Sequence, residues 1–348
     1  MTIKNIRITD SLAQSLNAYF QANHYSQIAV LTDSNTYEFC YPLVKEHLPE
    51  HTVLTIEPGE NHKNIETCIF LWEKMTALSM DRKSLFINLG GGVIGDMGGF
   101  VASAYKRGIK FLNLPTTLLA QADASVGGKL GIDFQGFKNH IGFFTEPEKI
   151  IISSDFLKTL PKNELKSGFA EIIKHSLIGD KAHWEKLISY SFDDQNMDTH
   201  VAHAVQFKAE VVEKDPYEHG LRKILNFGHT IGHAIESYFL DKGEKRLLHG
   251  EAIAIGMITE AYLSVKLAGL QESELETISA FIISIFGKVF INPDLTPELI
   301  ELTIQDKKNE GGKTMFTLLS EIGKAKYNCI VGAEDIKESL SYYQKIRG

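Results

Sequence analysis

Three side chains far apart in the 348-residue sequence carry the chemistry that stands out first: Glu171 in GFAEIIKH, His229 in NFGHTIGHA and His249 in LHGEA. Each reads as part of a helix. Two imidazoles and one carboxylate form a ligand set of the catalytic kind, which leaves one coordination position of a divalent metal open for a substrate. Most of the 13 histidines bind nothing on general grounds, so the set gains weight only from what surrounds it. His229 and His233, four residues apart, share a helical face and by spacing alone could both be ligands. No glutamate of the zinc-protease kind lies between them, so His233 could instead carry a proton in a position behind the metal. Glu171 and Lys174, three apart, face one way; the spacing fits a shared cleft and fits equally an exposed ion pair worth little.

A second cluster is the turn Gly90-Gly91-Gly92-Val93-Ile94-Gly95-Asp96, with Gly98 and Gly99 just beyond it. Backbone amides approach a pyrophosphate closely only where no Cβ intervenes, and the following helix points its positive end at the phosphates. The spacing is not that of the ordinary dinucleotide fingerprint. Its support is its company, since Asp33 and Glu60 stand at neighbouring strand ends, suited to ribose hydroxyls, and Thr116 and Thr117 at another. A third stretch, Gln121 to Lys129 and on to Lys138-Asn139, sets Asp123, two lysines and an amide around paired glycines, as either a ligand loop or a plain hairpin. Arg107 and Lys208 add cations. Arg222, Asn226 and His229 follow one another at helical steps, so a carboxylate-binding fork is expected beside the metal.

Those residues need elements to hold them. Short β-branched runs at Ile28–Leu31, Thr52–Ile56, Leu85–Leu89 and Lys110–Leu114 alternate with helical stretches, one of them over Tyr37–His47, and each run ends in a polar or glycine loop. That is the pattern of an open α/β sheet, whose ligands bind at the carboxyl edge. Past about Ser154 the strand signal fades and helical periodicity takes over, so the second half is read as all-helical. The expected architecture is an N-terminal Rossmann-like α/β domain, residues 1–158, followed by an all-α domain, residues 159–348.

Composition excludes several classes. With 43% hydrophobic and 23% charged residues and a net charge of -8, the chain is neither disordered nor furnished with a basic face for nucleic acid. Cys40, Cys68 and Cys329 are too few and too far apart for a disulfide framework. MTIKNIRITD lacks the apolar stretch of a signal peptide, and apolar segments such as Ala280–Phe286 are too short to span a membrane, so a cytoplasmic protein is expected.

The segments GGGVIGDMGGFVASAYKRG, LPTTLLAQADASVGGKLGID, KNHIGFF, GFAEIIKH, LRKILNFGHTIGHAIES and LHGEAIAIGM together resemble the 3-dehydroquinate synthase family, among the sugar phosphate cyclases. The resemblance runs with gaps from about Asp33 to Lys313. It implies bound NAD, one divalent metal (zinc or cobalt), a homodimer, and an active site in the cleft between the two domains. Matched to the family's motifs, Glu171, His229 and His249 are implied as metal ligands. Implied NAD contacts are Asp33, Glu60, Lys63, Gly92, Val93, Ile94, Gly95, Asp96, Thr116, Thr117, Lys129, Lys138, Phe156, Leu157, Lys158 and Thr159. The implied substrate set is Asp123, Lys129, Asn139, Lys174, Lys208, Arg222, Asn226 and His233, with Arg107 reaching the neighbouring subunit's site and a phosphate-binding lysine among Lys307, Lys308 and Lys313. The chain departs from the commonest family wording at Leu130, His140, Phe143-Phe144 and His175, and none of these removes a matched residue.

The implied reaction is that of a carbon–oxygen lyase of the shikimate pathway, on the way to chorismate and the aromatic amino acids. It converts 3-deoxy-D-arabino-heptulosonate 7-phosphate to 3-dehydroquinate and phosphate, by transient oxidation at C5, phosphate elimination, re-reduction, ring opening and intramolecular aldol closure. Asp123 and His233 are candidates for moving protons. Two other readings remain: a cyclase acting on sedoheptulose 7-phosphate or glucose 6-phosphate, and a metal-dependent polyol dehydrogenase. Lys208, Arg222, Asn226 and Asn139, suited to a carboxylate, disfavour the first. Lys129, Asn139 and Arg107, suited to a phosphate, disfavour the second.

Overall fold

The computed structural model describes residues 2–3, 5–135, 137–240, 242–305 and 314–346. Lys307, Lys308 and Lys313 lie outside the described residues. By Cα packing the chain separates into two compact units, Met1–Leu165 with Met197–Ala209, and Lys166–Asn196 with Glu210–Gly348.

The first unit contains β1 (Thr2–Ile3), β2 (Ile6–Ile8), α1 (Leu12–Ala22), β3 (Ile28–Asp33), α2 (Ser34–Phe39), β4 (Thr52–Ile56), α3 (Ile65–Ala77), β5 (Leu85–Gly90), α4 (Gly92–Ala104), β6 (Lys110–Pro115), β7 (Lys129–Phe134), β8 (Phe137–Phe144) and β9 (Lys149–Ile152). Seven strands form one sheet in the order β1-β2-β9-β6-β5-β3-β4, parallel throughout except for β1. Both faces of the sheet are covered. Ala29, Leu31 and Phe86 pack into one core with Met97 and Val101 of α4, while Ile28, Val30, Leu85, Ile87 and Leu89 pack into the other with Leu12 and Leu16 of α1. Burial on two sides explains why β3 and β5 read as continuous apolar runs without alternation. Because β5 lies beside β3 on the side away from β4, the strand order reverses between them. The crevice of such a sheet opens there, at the carboxyl ends of β3 and β5, where Asp33 and the glycine turn stand.

The helix expected over 37–47 is not continuous. Asp33 caps a six-residue helix, α2, and two 3-10 turns follow, Tyr41–Leu43 and Lys45–His47. Pro42, in the first of these turns, offers no N–H and disfavours helical backbone in the residue before it.

The second unit is built from α5 (Lys162–Gly179), which begins in the first, then α6 (Lys181–Ile188), the end of α7 (Met197–Lys214), α8 (His229–Phe239), α9 (His249–Leu267), α10 (Glu272–Phe286), α11 (Thr296–Gln305) and α12 (Ala333–Lys345). One correction to the all-helical reading is a hairpin, β10 (Met315–Glu321) and β11 (Lys324–Ile330), turning at Gly323 with φ +90°. Helix α9 is buried almost all round, as a helix apolar on every side must be. It approaches α8 so closely that a Cβ on Gly256 would stand 1.9 Å from the Gly228 carbonyl oxygen. Among the described residues no helix is long and apolar enough to cross a membrane.

Candidate active site

Helix α5 of the second unit is buried from Ser167 to Ile178, which takes Glu171 and Lys174 out of solvent. Each is 1% exposed and the two are ion-paired, so the pair is not the weak surface bridge that its spacing also allowed. His229 opens α8 and His249 opens α9. Their Nε2 atoms each lie 3.5 Å from Glu171 Oε1.

The fit to a metal can be tested on that geometry. Donors of a tetrahedral site with bonds of about 2.1 Å stand about 3.4 Å apart. The ligand atoms of all three residues lie within 4.8 Å of one another. The other ring nitrogens are also committed: His229 Nδ1 donates to the Phe227 carbonyl at 3.0 Å and His249 Nδ1 donates to Glu236 Oε2 at 3.2 Å. Those bonds turn both Nε2 lone pairs toward Glu171, the usual device for fixing a metal-binding tautomer. Burial and the Lys174 ammonium hold the His229 pKa well below the usual range, so this imidazole is neutral, as a ligand must be. At His249 burial acts to lower the pKa, and the Glu236 and Glu171 carboxylates outweigh it and raise it to about 10. The carboxylates that hold a proton on His249 would equally favour a cation in its place, and binding would release that proton. The residues fit a divalent cation.

His233 stands one turn beyond His229, with ring centroids 5.1 Å apart, and 6.0 Å from the His249 ring. It therefore belongs to the same imidazole cluster. Arg222 and Asn226 lie on the 3-10 segment Leu221–Asn226, which Asp215 anchors by accepting from the amides of His219, Gly220 and Arg222 at 3.0, 2.7 and 3.0 Å. Arg222 is 1% exposed, and its Nη1 donates to the Pro216 carbonyl at 2.5 Å. Asn226 Nδ2 donates to Glu218 Oε1 at 2.7 Å. Sequence reasoning missed Asp215, Glu218 and Glu236. Asp215 alone had a local signal, an acidic residue followed by Pro216 and Gly220 in a turn.

In the first unit two of these glycines are closely packed against the protein itself, a Cβ on Gly91 standing 2.9 Å from Thr117 Cγ2 and one on Gly98 2.0 Å from Asn88 Oδ1, whereas a Cβ on Gly95 would meet nothing within 4 Å. A pocket is lined by Gly90, Gly91, Gly92, Gly95, Asp96, Asn113, Pro115, Ser125 and Lys129. Lys63, 3% exposed, donates to Asp96 Oδ2 at 2.8 Å and to Asn139 Oδ1 at 2.6 Å, and lies 3.8 Å from Glu60 Oε1. Asn139, assigned to the substrate from sequence, is thus joined to residues assigned to NAD. Its φ of +49° is held by Asp133, which accepts from its amide at 2.7 Å. The hairpin reading of this region holds, since Lys129 and Asn139 sit on the paired strands β7 and β8.

Asp123 lies in a π-helical turn, Ala120–Ala124, and accepts from Lys208 Nζ at 2.8 Å through Oδ2 and at 2.7 Å through its carbonyl. Such turns recur at functional sites. Asp33 uses its carboxylate to cap α2, accepting from the Thr36 amide at 2.7 Å. Thr116 is buried, as is Phe156 of the 3-10 segment Ser154–Thr159, whose ring lies in the core, whereas Lys158 is exposed and paired to Asp155 at 2.6 Å. Lys138 stands on β8, and Arg107 lies exposed in the 3-10 turn Tyr105–Arg107 with φ +67°.

These parts define an enzyme class: one unit carries a glycine turn at the switch point of a parallel sheet, and the other a buried carboxylate with two imidazoles set for a divalent cation. The chain belongs to the 3-dehydroquinate synthase family, whose N-terminal model matches residues 53–167 and whose C-terminal model matches residues 168–309. It is 40% identical to the 3-dehydroquinate synthase of Parabacteroides distasonis over 100% of both chains. It is 41% identical to that of Campylobacter concisus over 85% of each. Among solved structures it is similar to 2-deoxy-scyllo-inosose synthase complexed with carbaglucose-6-phosphate, NAD+ and Co2+, at 26% identity and TM-score 0.84, covering 97% of this chain and 96% of that one. It is likewise similar to 2-epi-5-epi-valiolone synthase of Streptomyces hygroscopicus subsp. jinggangensis with NAD+ and Zn2+ bound, at 26% identity and TM-score 0.85, covering 99% and 97%. An iron-containing alcohol dehydrogenase of Corynebacterium glutamicum, 13% identical over 98% of this chain and 94% of that one with TM-score 0.68, shares the fold.

Proposed function

We propose that this chain converts 3-deoxy-D-arabino-heptulosonate 7-phosphate to 3-dehydroquinate and phosphate, as a lyase of the shikimate pathway. One observation carries the reading: Glu171 Oε1 stands 3.5 Å from the Nε2 atoms of both His229 and His249, in a chain 40% identical to a 3-dehydroquinate synthase along its whole length. Glu171, His229 and His249 would hold the divalent metal, zinc or cobalt, and the glycine turn the NAD; the metal would supply a Lewis acid at the C5 hydroxyl and NAD a reversible hydride acceptor.

The chain's own residues hold the parts in place. Residues 1–158 are assigned to NAD, with the glycine turn and Asp96 at the pyrophosphate and the Lys63 network fixing that edge. Residues 159–348 are assigned to metal and substrate, with Glu171, His229 and His249 as ligands. Lys174, already paired with Glu171, steadies that carboxylate and puts an ammonium beside the substrate oxygens. Lys129, Asn139 and Arg107 suit the phosphate. Arg222, Asn226 and Lys208 suit the sugar acid's carboxylate, a group absent from sedoheptulose 7-phosphate and glucose 6-phosphate. His233 and Asp123 move protons, and Lys208, donating to Asp123 Oδ2 at 2.8 Å, holds that carboxylate in place.

The same reading assigns a cytoplasmic homodimer in which Arg107 serves the neighbouring subunit's site. Three free thiols, Cys40, Cys68 and Cys329, and the exposed position of Arg107 support it. The test is substrate choice. Phosphate release should be followed with the heptulosonate phosphate, sedoheptulose 7-phosphate and glucose 6-phosphate in turn. Release from the first alone is expected, and release only from either of the others would overturn the assignment.

A further inference from the structure

Helix α8 begins without a cap of its own. Its N-cap residue is Gly228, in the left-handed region at φ +78°, so no side-chain oxygen is available there for the first amides of the helix. These amides are buried against α9, where unsatisfied donors would be costly. The acceptor comes from 32 residues further along: Glu260 Oε2 accepts from the Gly228 amide at 2.6 Å. Its Oε1 accepts from the amides of Thr230 and Ile231 at 3.0 and 3.1 Å. Glu260 is 0% exposed.

The face of α9 that delivers this carboxylate is shaped for close approach. Ile253, Gly256, Met257 and Glu260 follow at helical steps, and a Cβ on Gly228 would stand 2.6 Å from Met257 Cγ. The residue enclosed by the three capped amides is His229, first in α8 and one of the proposed metal ligands. A cation held there meets the positive end of the helix dipole, equivalent to about half a unit charge. A buried carboxylate on those same amides offsets that repulsion.

We propose that Glu260 is a positioning residue for the metal site: by capping α8 from α9 it fixes His229 before any metal arrives and makes the helix start tolerant of a cation. The proposal rests on the metal reading above. It assigns Glu260 no contact with substrate or metal.

The test loads metal-free protein with Co2+ and measures affinity by chelator competition together with the visible ligand-field spectrum. For Glu260→Gln, which keeps the shape and loses the charge, affinity should fall by about tenfold or more with a changed spectrum. The exposed Glu272→Gln should leave both unchanged. Folded Glu260→Gln with the parent spectrum and an affinity within about twofold of the parent would overturn the proposal while leaving the metal reading intact. An unaltered protein that binds no Co2+ would overturn the metal reading and this proposal with it. Should Glu260→Gln fail to fold, amide exchange on the unaltered protein decides. Protection of Gly228, Thr230 and Ile231 before metal is added supports prior positioning, and protection that appears only with Co2+ refutes it.

Discussion

Glu236 Oε2 lies 3.2 Å from His249 Nδ1, so a carboxylate two turns along α8 from His229 orients the imidazole that opens α9. The bond fixes the His249 tautomer and adds negative charge behind a ligand. Glu236→Gln should therefore weaken Zn2+ or Co2+ binding by about tenfold to a hundredfold. Chelator competition checks this, and an affinity equal to the parent's would contradict it.

Lys208 and Asp123 form a mostly buried pair at 2.8 Å, with side-chain exposures of 8% and 19%. Lys208→Met should cost about 1.5–3 kcal/mol, because it removes a charged hydrogen bond and leaves the carboxylate without that cation. A double-mutant cycle with Asp123→Asn, read by denaturant unfolding, should show the two costs to be less than additive. Strict additivity would mean that the pair carries no coupling energy.

Asp215 supplies a test in pH. Burial acts to raise its pKa, but the amides of Arg222, Gly220 and His219 outweigh burial and hold it below the usual carboxylate range. A group depressed in the folded state contributes stability above its unfolded pKa, about 3.9, and that contribution is lost as pH falls through the folded value. Asp215→Asn should thus be less stable than the parent by about 1–2 kcal/mol at neutral pH, with the gap closing below about pH 4. A gap independent of pH would show that the charge contributes nothing.

Gly256→Ala should be disruptive out of proportion to one methyl group. The added carbon would stand 1.9 Å from the Gly228 carbonyl and 2.9 Å from the Gly232 amide nitrogen, both backbone atoms. Helices α8 and α9 would have to move apart, at a cost of about 1–3 kcal/mol or more. Metal retention should fall with the melting temperature, since the two helices carry His229 and His249. Full metal affinity in a destabilised variant would separate packing from the site.

The candidate ligands Glu171, His229 and His249 were legible as residue types in helical stretches, but their weight came from the motifs around them, since most histidines bind nothing. The parallel sheet was legible because runs such as Leu85–Leu89 are buried on both faces. Glu236 and Glu260 were not, because their roles depend on the crossing of α8 and α9. Gly228 even lacks the Ser, Thr, Asn or Asp that would have announced a cap. The hairpin β10–β11 escaped because register shifts at Phe316/Leu318 and Leu319/Glu321 break its alternation, and its outer strand, largely exposed, shows no apolar period. The loss of the helix over 37–47 could have been foreseen from Pro42.

In the proposed reaction NAD is used and regenerated within one turnover of phosphate release. The most direct measurement incubates the metal-loaded protein with 3-deoxy-D-arabino-heptulosonate 7-phosphate and NAD, and follows inorganic phosphate and the NADH absorbance band together. Steady phosphate release with no accumulation of NADH is the expected result. NADH rising in step with turnover would rule this reaction out and identify a dehydrogenase instead.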